Sequence, residues 1–499
     1  MKQNKILLIL VFFSIVSVLS MNIPLIAEQQ DDIHINPVTL STYAEYYHRV
    51  NFDDELTILY PRSSIPVILE PDQSFIIQFT SIAFDSLTAE ISTAYDAIPD
   101  NILLSIDSIH QEQDVMYATA TIPVETPQEL YNITLTIESE GEIYSTTRPR
   151  AVSIKDAIDD SFTFIHLADF HIGDPRGLIE NPKETIGWKA ARKVIEEVNL
   201  LNPDFVIISG DLVFGQMYPF EYTLEYKKCY DILQEFDVPT FLCPGNHDGY
   251  IQTGQDGLRF WEDYFGPVYY SFDYGNMHFL SVNSYDWPAF DRLGFSYIVL
   301  NWGGSVQDAQ MQWIADDLDE HIDADQTLMM MHHNPLWDTT GDSLLKKGYQ
   351  GQDELLNLIR TKGVDGIFAG HVHYDNVTID NGTTYITTTT LASSLDHDAY
   401  WGYRLVEVEE NVFSSYNYKE PKYSVPSYHI NIIEQDATSI TIENLLDTPM
   451  DILVEFVVPN EVYTVNHGSI IQIREKEEMA AVYVLATLPQ QTTTSITLS

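Results

Sequence analysis

The middle of the chain alternates between strand-like and helix-like stretches, and this alternation constrains the fold more than any other feature. An apolar strand-like run from Phe162 to Ala168 leads to helically spaced apolar residues between Ile186 and Leu201, and a second strand follows at Phe205–Ile208. A helix is predicted around Tyr222–Phe236. Further strands are predicted at Pro239–Cys243, Met277–Val282, Thr327–Met331, Gly366–Ala369, Thr384–Thr389 and Gly402–Val408. Strands that alternate with helices pair in parallel, so residues 160–420 are predicted to form an α/β domain with its functional groups at the carboxyl ends of the strands.

The residues on both sides of this domain follow a different pattern. Residues 35–155 and 425–499 contain short stretches in which apolar and polar side chains alternate, such as Phe75–Phe79 and Ile452–Phe456. Turn-forming residues separate these stretches, and no helical period lies between them. The pattern predicts an N-terminal β-sandwich domain and a smaller C-terminal β domain. Neither contains a cluster of chemically active residues, so both are expected to be structural.

The first residues have the character of an export signal. Lys2 and Lys5 precede an uncharged apolar run from Ile6 to Leu19, which is short for a membrane span but typical of the core of a signal peptide. We assign residues 1–27 to this signal, with cleavage after Ser20 or after Ala27 as the two candidate positions. An uncleaved N-terminal membrane anchor is the alternative. Either interpretation predicts an exported protein, extracellular or at the cell surface.

The charge balance excludes one large class of functions. The chain has 74 acidic residues against 25 Lys and Arg, which gives a formal net charge of −49. Proteins that bind nucleic acids or anionic membranes need basic patches that replace the counterions of those surfaces. We therefore expect no nucleic-acid partner, and no membrane contact beyond the possible N-terminal anchor.

Five strands of the central domain are each followed at once by residue types that bind metal ions. Six of the fifteen His residues of the chain lie in these five short segments. The segments are Asp169-Phe170-His171, Gly210-Asp211, Gly245-Asn246-His247-Asp248, His332-His333-Asn334-Pro335 and Gly370-His371-Val372-His373. One such segment alone is common by chance, whereas five of them at strand ends of one α/β domain are highly specific.

This set of motifs resembles that of the calcineurin-like metallophosphoesterases, a family that includes purple acid phosphatases and cyclic-nucleotide phosphodiesterases. The resemblance covers about Phe162 to Val408. It implies an α/β fold in the form of a four-layer α/β/β/α sandwich, here flanked by the two β domains. It also implies a hydrolase in which a metal-bound hydroxide attacks small phosphate monoesters or diesters.

The resemblance also implies a role for each motif residue. Asp211 would bridge two divalent cations, because a shared carboxylate offsets their mutual repulsion. The predicted ligands of the first cation are Asp169, His171 and His373, and those of the second are Asn246, His371 and His332, with His333 as the alternative to His332. Mixed nitrogen and oxygen ligands indicate Mn, Fe or Zn.

Three further positions are assigned other roles by the same resemblance. His247 is the predicted catalytic residue, which would face the leaving group and protonate it. Asp248 would orient His247 or cap the turn that follows. If His332 is the ligand, His333 would support the metal ligands or face the substrate.

The sequence departs from two branches of the family. Gly210-Asp211 continues as Leu212-Val213-Phe214-Gly215 instead of the Asp-Arg-Gly pattern of protein Ser/Thr phosphatases. The stretch from Asp211 to Phe214 also lacks the Tyr that binds ferric iron in purple enzymes. The motifs are compatible with cleavage of phosphate monoesters and of phosphate diesters. The alternative to an enzyme is a non-catalytic binding or adhesion protein.

Overall fold

The computed structural model describes residues 38–49, 55–94, 100–174, 186–216, 221–295, 298–336, 347–392, 400–419 and 423–499. Residues 37–499 belong to one compact unit. The predicted signal peptide at 1–27 lies outside the described residues. Within the described ranges, no helix has both the length and the apolar character needed to cross a membrane.

The N-terminal part is built almost entirely of strands. Its elements are β1 (Ser41–Thr42), α1 (Ala44–Arg49), β2 (Leu56–Tyr60), β3 (Val67–Leu69), β4 (Ser74–Ser81), β5 (Ser86–Thr93), β6 (Asn101–Leu103), β7 (Ser105–Glu112), β8 (Val115–Thr121), β9 (Glu129–Ser139) and β10 (Glu142–Ile154). Two sheets form, with strand orders β3-β10-β9-β5-β6 and β2-β4-β8-β7. Their inward side chains, among them Ile77 and Ile133, are fully buried. Every second residue of these strands faces a core, which is why the alternation of apolar and polar residues in the sequence predicted them.

The central part contains the predicted alternation of strands and helices. Its first half comprises β11 (Phe162–Leu167), α2 (Ile186–Leu201), β12 (Phe205–Ser209), α3 (Glu221–Leu233), β13 (Thr240–Cys243), α4 (Asn246–Gly249), β14 (Ile251–Gln252), β15 (Gln255–Asp256), α5 (Gly257–Phe265), β16 (Tyr270–Tyr274) and β17 (Met277–Val282). Its second half comprises β18 (Leu293–Phe295), β19 (Ile298–Val299), α6 (Asp308–Glu320), β20 (Gln326–Met331), α7 (Gln352–Lys362), β21 (Gly366–Ala369), β22 (Asn376–Asp380), β23 (Thr383–Thr387), β24 (Gly402–Glu409) and β25 (Val412–Ser415).

Two mixed sheets form the core of this central part. In one, β11, β12 and β13 pair in parallel and β24 pairs antiparallel to β11. In the other, β17, β20, β21 and β23 pair in parallel. Aromatic rings join the two sheets, since Phe164 of β11 lies 5.9 Å from Phe279 of β17 and 5.4 Å from Phe368 of β21, centroid to centroid. This interlocked aromatic core fixes the positions of the strand ends.

Helices cover the other faces of the two sheets. Ala190, Val194 and Val198 of α2 belong to one buried cluster with Ile165 of β11 and Val206 of β12. Residues of α6 and α7 form a second cluster with β17, β20 and β21. The apolar residues whose helical spacing predicted α2 thus form the stripe that this helix buries.

One predicted strand ends earlier than expected. The pattern predicts Thr384–Thr389, whereas β23 ends at Thr387. The side chains of the next two residues bind other groups: the Thr388 hydroxyl contacts His166 Nδ1 at 2.7 Å, and the Thr389 hydroxyl donates to the His373 carbonyl oxygen at 3.1 Å. These contacts tie the strand end to the segment that bears His373.

The C-terminal part contains strands and packs on α2. Its elements are β26 (Val425–Pro426), β27 (Ile430–Gln435), β28 (Ser439–Asn444), β29 (Met450–Pro459), β30 (Ser469–Lys476), β31 (Met479–Leu488) and β32 (Thr492–Thr497). They form the sheets β27-β28-β32 and β29-β31-β30, apart from β26, which pairs with β24. Val454 and Phe456 of β29 belong to the same buried cluster as the apolar stripe of α2.

Candidate metal centre

All five predicted segments lie at the carboxyl ends of parallel strands. They follow β11, β12 and β13 in one sheet and β20 and β21 in the other. Because the two sheets pack face to face, these ends converge, and imidazole and carboxylate atoms come within 4.8 Å of one another in several groups. The groups relevant here are Asp169 with His171 and His373, Asp169 with Asp211 and His332, His171 with Asp211 and His247, and His332 with His333 and His371.

The Oδ2 atom of Asp211 is the centre of this arrangement. It lies 3.1 Å from His332 Nε2, 3.4 Å from His171 Nε2 and 3.9 Å from His247 Nε2. The other oxygen, Oδ1, accepts a hydrogen bond from the His247 backbone amide at 2.9 Å. One oxygen is thus used to fix the carboxylate, while the other faces imidazoles from both sheets.

Asp169 has a similar division of roles between its two oxygens. Oδ2 accepts from the His371 backbone amide at 3.0 Å. Oδ1 lies 3.6 Å from His171 Nε2 and 3.4 Å from His373 Nε2. The imidazoles of His171 and His373 therefore face one carboxylate oxygen of Asp169, and these three residues are the predicted ligands of the first cation.

The backbone adopts an unusual conformation at most of these positions. Five predicted ligands have a positive φ between 47° and 74°: Asp169, His171, Asp211, His371 and His373. Such angles are uncommon outside glycine and cost on the order of 1–3 kcal/mol each. The surrounding strands and hydrogen bonds must hold these strained turns, and the strain is concentrated where the polar side chains meet.

Gly245 allows the second and third segments to approach closely. A side chain at this position would place its Cβ 2.2 Å from Asp211 Oδ1 and 2.4 Å from the Asp211 backbone nitrogen. A glycine is therefore required here by this contact, because the φ of Gly245, −105°, is one that any residue adopts.

Several buried atoms of the cluster lack a hydrogen-bond partner among the described residues. They are Asp169 Oδ1, both ring nitrogens of His171, Asn246 Oδ1 and His332 Nε2. Leaving buried polar atoms unsatisfied costs about 1–3 kcal/mol each, so their accumulation in one place calls for a ligand. Imidazole nitrogens with carboxylate and amide oxygens are the donor set that Mn, Fe and Zn ions accept. The residues present fit divalent cations.

The electrostatics favour a cation at the same place. Burial opposes ionisation of Asp169, yet His373 and His171 hold its pKa below the usual range. Burial likewise opposes ionisation of Asp211, and His332 with His247 holds its pKa well below the usual range. Both carboxylates are therefore anionic. Burial would lower the pKa of His332, but Asp211 raises it to about 10. A metal ion bound at Nε2 would displace a proton from this nitrogen.

The structure distinguishes the two His residues of the fourth segment. His332 Nδ1 donates to the Ser209 carbonyl oxygen at 2.8 Å, which leaves Nε2 directed at Asp211. In His333, Nδ1 lies 3.1 Å from Ser284 Oγ, and Nε2 lies 2.9 Å from the Trp302 carbonyl oxygen. Both ring nitrogens of His333 are engaged, whereas His332 presents one to the cluster.

His247 and Asp248 occupy different environments although they are neighbours. His247 Nδ1 contacts the Phe214 carbonyl oxygen at 2.5 Å, which turns Nε2 toward Asp211. The Asp248 carboxylate instead accepts from the backbone amides of Gly245, Val213 and Leu212 at 2.8, 3.0 and 3.2 Å. Asp248 therefore caps the turn and holds the loops of the second and third segments together.

Sequence reasoning missed several residues that orient this cluster. Ser284 Oγ accepts from the backbone amides of His332 and His333 at 3.1 and 2.8 Å. Asn246 Nδ2 donates to the Tyr250 hydroxyl at 2.5 Å, while the buried amide oxygen of Asn246 has no hydrogen-bond partner among the described residues. Ser284 follows the end of β17, so the rule that functional groups lie at the carboxyl ends of parallel strands could have identified it. Tyr250 carried no such signal.

Comparison with known proteins relates this arrangement to one family. The model of the calcineurin-like phosphoesterase family matches residues 162–375. The serine/threonine-protein phosphatase CPPED1 of Danio rerio is 25% identical over 50% of this chain and 82% of its own length. A "probable glycerophosphodiester phosphodiesterase GpdQ" of Arcobacter nitrofigilis is 26% identical over 45% of this chain and 76% of its own length. Among solved structures, TT1561 of Thermus thermophilus aligns with 50% of this chain and 95% of its own at a TM-score of 0.31 and 12% identity.

Proposed function

We propose that this protein, whose residues 162–375 belong to the calcineurin-like phosphoesterase family, is an exported enzyme that hydrolyses small phosphate esters at a centre of two divalent cations. The chain is a hydrolase of phosphoric ester bonds, because it matches the model of this family and relatives that are a phosphatase and a probable phosphodiesterase. Substrate, metal identity and cellular location go beyond that statement and are part of the proposal.

The observation that carries the proposal is the convergence of buried imidazole and carboxylate atoms from separate strand ends around Asp169 and Asp211, where several ligand atoms have no hydrogen-bond partner among the described residues. Asp169, His171 and His373 would hold one cation, and Asn246, His332 and His371 the other, with Asp211 shared. When bound, two divalent cations supply positive charge that stabilises the phosphoryl oxygens during displacement at phosphorus. The anionic state of both carboxylates and the unpaired nitrogens support this assignment.

His247 is proposed to act on the leaving group. The contact between its Nδ1 and the Phe214 carbonyl oxygen holds the proton on Nδ1 in the neutral ring and orients Nε2 toward the cluster. When the ring is protonated, Nε2 can donate to the ester oxygen as the bond to phosphorus breaks. Asp248 acts only by positioning, because its carboxylate holds the backbone of the two loops that bear Asp211 and His247.

The domain organisation is part of the same proposal. We assign residues 160–420 to a four-layer α/β/β/α catalytic domain, residues 35–155 to an N-terminal β-sandwich and residues 425–499 to a C-terminal β domain. The two aromatic-packed sheets and their helix-covered outer faces support the four layers. The export proposal rests on the apolar run Ile6–Leu19 and on the net charge of −49, which suits a solvated surface outside the cell.

The charge also limits the substrate class. A strongly acidic surface repels polyanions, while bound cations attract phosphate only locally. Small phosphate esters are thus favoured over nucleic acids. The completeness of all five segments opposes the alternative of a non-catalytic binding protein.

A substrate panel tests the proposal. Purified protein with added Mn²⁺ or Zn²⁺ would be assayed on phosphate monoesters, phosphate diesters and long double-stranded DNA, with Asp211→Asn as the inactive control. We expect hydrolysis of small esters by the wild type, almost none by the variant, and no cleavage of DNA. Absence of hydrolysis on every small ester, in protein shown to bind two metal ions, would refute the proposed function.

A further inference from the structure

A buried ion pair lies just after the fifth segment, which ends at His373. The Asp375 Oδ1 atom lies 2.8 Å from Arg404 Nη2 of β24, and the two side chains are 4% and 0% exposed. The cost of removing two charges from water largely cancels their attraction, so a buried ion pair adds little to stability compared with apolar side chains. The pair therefore calls for a role other than stabilising the fold.

The Asp375 carboxylate joins the fifth segment to three other stretches of chain. Its Oδ1 atom also accepts from the Thr389 amide at 3.1 Å. Its Oδ2 atom accepts from the Tyr400 hydroxyl at 3.1 Å and from the Ser424 amide at 3.0 Å. The fifth segment is thus tied to the residues that follow β23 and to those that precede β24 and β26.

Arg404 gives this carboxylate a fixed anchor. Nη2 donates to the Thr387 carbonyl oxygen at 3.1 Å, and Nη1 donates to the Tyr416 carbonyl oxygen at 2.9 Å. Nε donates to the Thr388 hydroxyl at 3.2 Å. Because β24 is also paired along its length with β11, the guanidinium has little freedom to move.

The residues after β23 extend this anchorage to two ligands proposed for the first cation. The Thr389 hydroxyl lies 3.1 Å from the His373 carbonyl oxygen, and Thr390 Oγ1 donates to the Asp169 carbonyl oxygen at 3.0 Å. The φ angles of His373 and Asp169 are 63° and 58°. Such strained backbone persists only where the surrounding structure over-determines it. These contacts supply that constraint at both ligands.

The ligands proposed for the second cation are held by other groups. His332 donates to the Ser209 carbonyl oxygen at 2.8 Å, and Asn246 donates to the Tyr250 hydroxyl at 2.5 Å. These contacts do not involve the ion pair. Loss of the pair should therefore affect the two cations unequally.

We propose that Asp375 and Arg404 are positioning residues, which hold the fifth segment so that His373 stays directed at Asp169 and the first cation is bound tightly. The inference rests on the proposed function and adds two residues to the same site. His373 Nε2 lies 3.4 Å from Asp169 Oδ1, so a shift of the His373 backbone would move this nitrogen away from the oxygen with which it shares the cation. Residues that support metal ligands typically contribute about 10- to 100-fold to metal affinity. We expect a loss of this size for the first cation only.

The main variant is Asp375→Asn, which keeps the shape of the side chain and removes its charge. Its matched control is Glu129→Gln, because Glu129 forms an ion pair with Arg474 that joins β9 to β30 in the flanking parts of the chain.

A milder variant covers the case in which Asp375→Asn leaves Arg404 unpaired and does not fold. Thr389→Val removes only the hydroxyl that contacts His373. Its matched control is Thr383→Val, because the Thr383 hydroxyl also donates to a carbonyl oxygen, that of Val364 at 2.7 Å, but at the other end of β23.

The measurement is titration of metal-stripped protein with Co²⁺, whose visible absorption changes with its ligands. Thermal unfolding of each stripped protein would be recorded beside it. We expect two tightly bound ions in the wild type and in both controls. In Asp375→Asn one ion should bind about 10- to 100-fold more weakly and the other unchanged, with a smaller loss in Thr389→Val. Unchanged affinities in Thr389→Val, or an equal loss for both ions in either variant, would overturn the inference.

The same titration separates this inference from the proposed function, because it requires no turnover. Wild-type protein that binds two ions and hydrolyses no small ester would refute the proposed function. A selective loss of one ion in Asp375→Asn would still support the positioning role in that case. Hydrolysis by the wild type together with unchanged binding of both ions in Asp375→Asn would refute the positioning role alone.

Discussion

His332 Nε2 lies 3.1 Å from Asp211 Oδ2, and the opposite nitrogen of the same ring donates to the Ser209 carbonyl oxygen. The backbone thus fixes which nitrogen faces the cluster. A carbonyl acceptor behind a histidine is the usual arrangement for a metal ligand, because it sets the tautomer and the orientation of the ring. This relationship favours His332 over His333 as the proposed ligand of the fourth segment.

The first prediction separates His332 from His333. His332→Gln removes a ligand nitrogen, so bound metal should fall from two ions to about one per chain. His333→Gln should retain both ions, because the two nitrogens of His333 are directed at Ser284 and Trp302. Elemental analysis after gel filtration measures both. Loss of an ion in His333→Gln with full occupancy in His332→Gln would reverse the assignment.

The second prediction concerns the shared carboxylate. Asp211→Asn retains an oxygen that can accept from the His247 amide but removes the negative charge that both cations share. Bound metal should drop below two ions per chain, while far-ultraviolet circular dichroism stays unchanged because the residue follows the strand and is not part of its core. Two tightly held ions in this variant would contradict the bridging role.

The third prediction concerns His247. If it protonates the leaving group, His247→Ala should keep both metal ions and lose about 10²–10⁴-fold in kcat on alkyl phosphates. The loss should be much smaller on p-nitrophenyl phosphate, whose phenolate leaves without a proton. Metal analysis and kcat on both esters are the measurements. Equal losses on the two esters would argue against proton donation, and a missing metal ion would make His247 a ligand.

The sequence predicted the order of the central strands and helices because their apolar residues repeat with the period of each element. It also predicted which segments would meet, since the carboxyl ends of parallel strands lie at one edge. The strained backbone could not be predicted. Asp169, Asp211 and His371 have a positive φ where backbone hydrogen bonds join segments that are distant in the chain, such as the one from the His371 amide to Asp169 Oδ2 at 3.0 Å.

The roles of individual polar groups were also outside the reach of sequence patterns. Ser284 and Trp302, which engage His333, lie 49 and 31 residues from it, so no local pattern relates them. The pairing of Phe295 in β18 with Ile298 in β19 likewise depends on the register of the two strands. Such features arise from tertiary pairing and not from the period of one segment.

The fourth prediction uses a buried histidine away from the metal centre. Burial alone would lower the pKa of His278, but its hydrogen bonds with Asp273 at 2.7 Å and Asp317 at 2.8 Å raise it to about 9. His321 stacks on the same ring at 3.8 Å. A folded-state pKa above the unfolded value of 6.5 stabilises the fold fully below pH 6.5, and this stabilisation is lost as the pH rises toward 9.

Urea unfolding at pH 6, 7.5 and 9 measures this contribution. The free energy of unfolding of the wild type should decrease between pH 6 and 9 by on the order of 2–3 kcal/mol more than that of His278→Gln. The exposed His110, whose salt-bridge partner is Glu112 at 3.8 Å, provides the control substitution His110→Gln. Parallel pH profiles of the wild type and His278→Gln would show that the ion pair does not stabilise the fold.

Removal and return of the metal tests the proposed centre of two cations most directly. The wild-type protein would be stripped with a chelator, and Mn²⁺ or Zn²⁺ would be added back in steps while hydrolysis of a cleavable ester and bound metal are measured together. We expect negligible hydrolysis by the stripped protein and recovery that is complete only near two bound ions per chain. Full hydrolysis by protein shown to contain no metal would contradict the proposed centre.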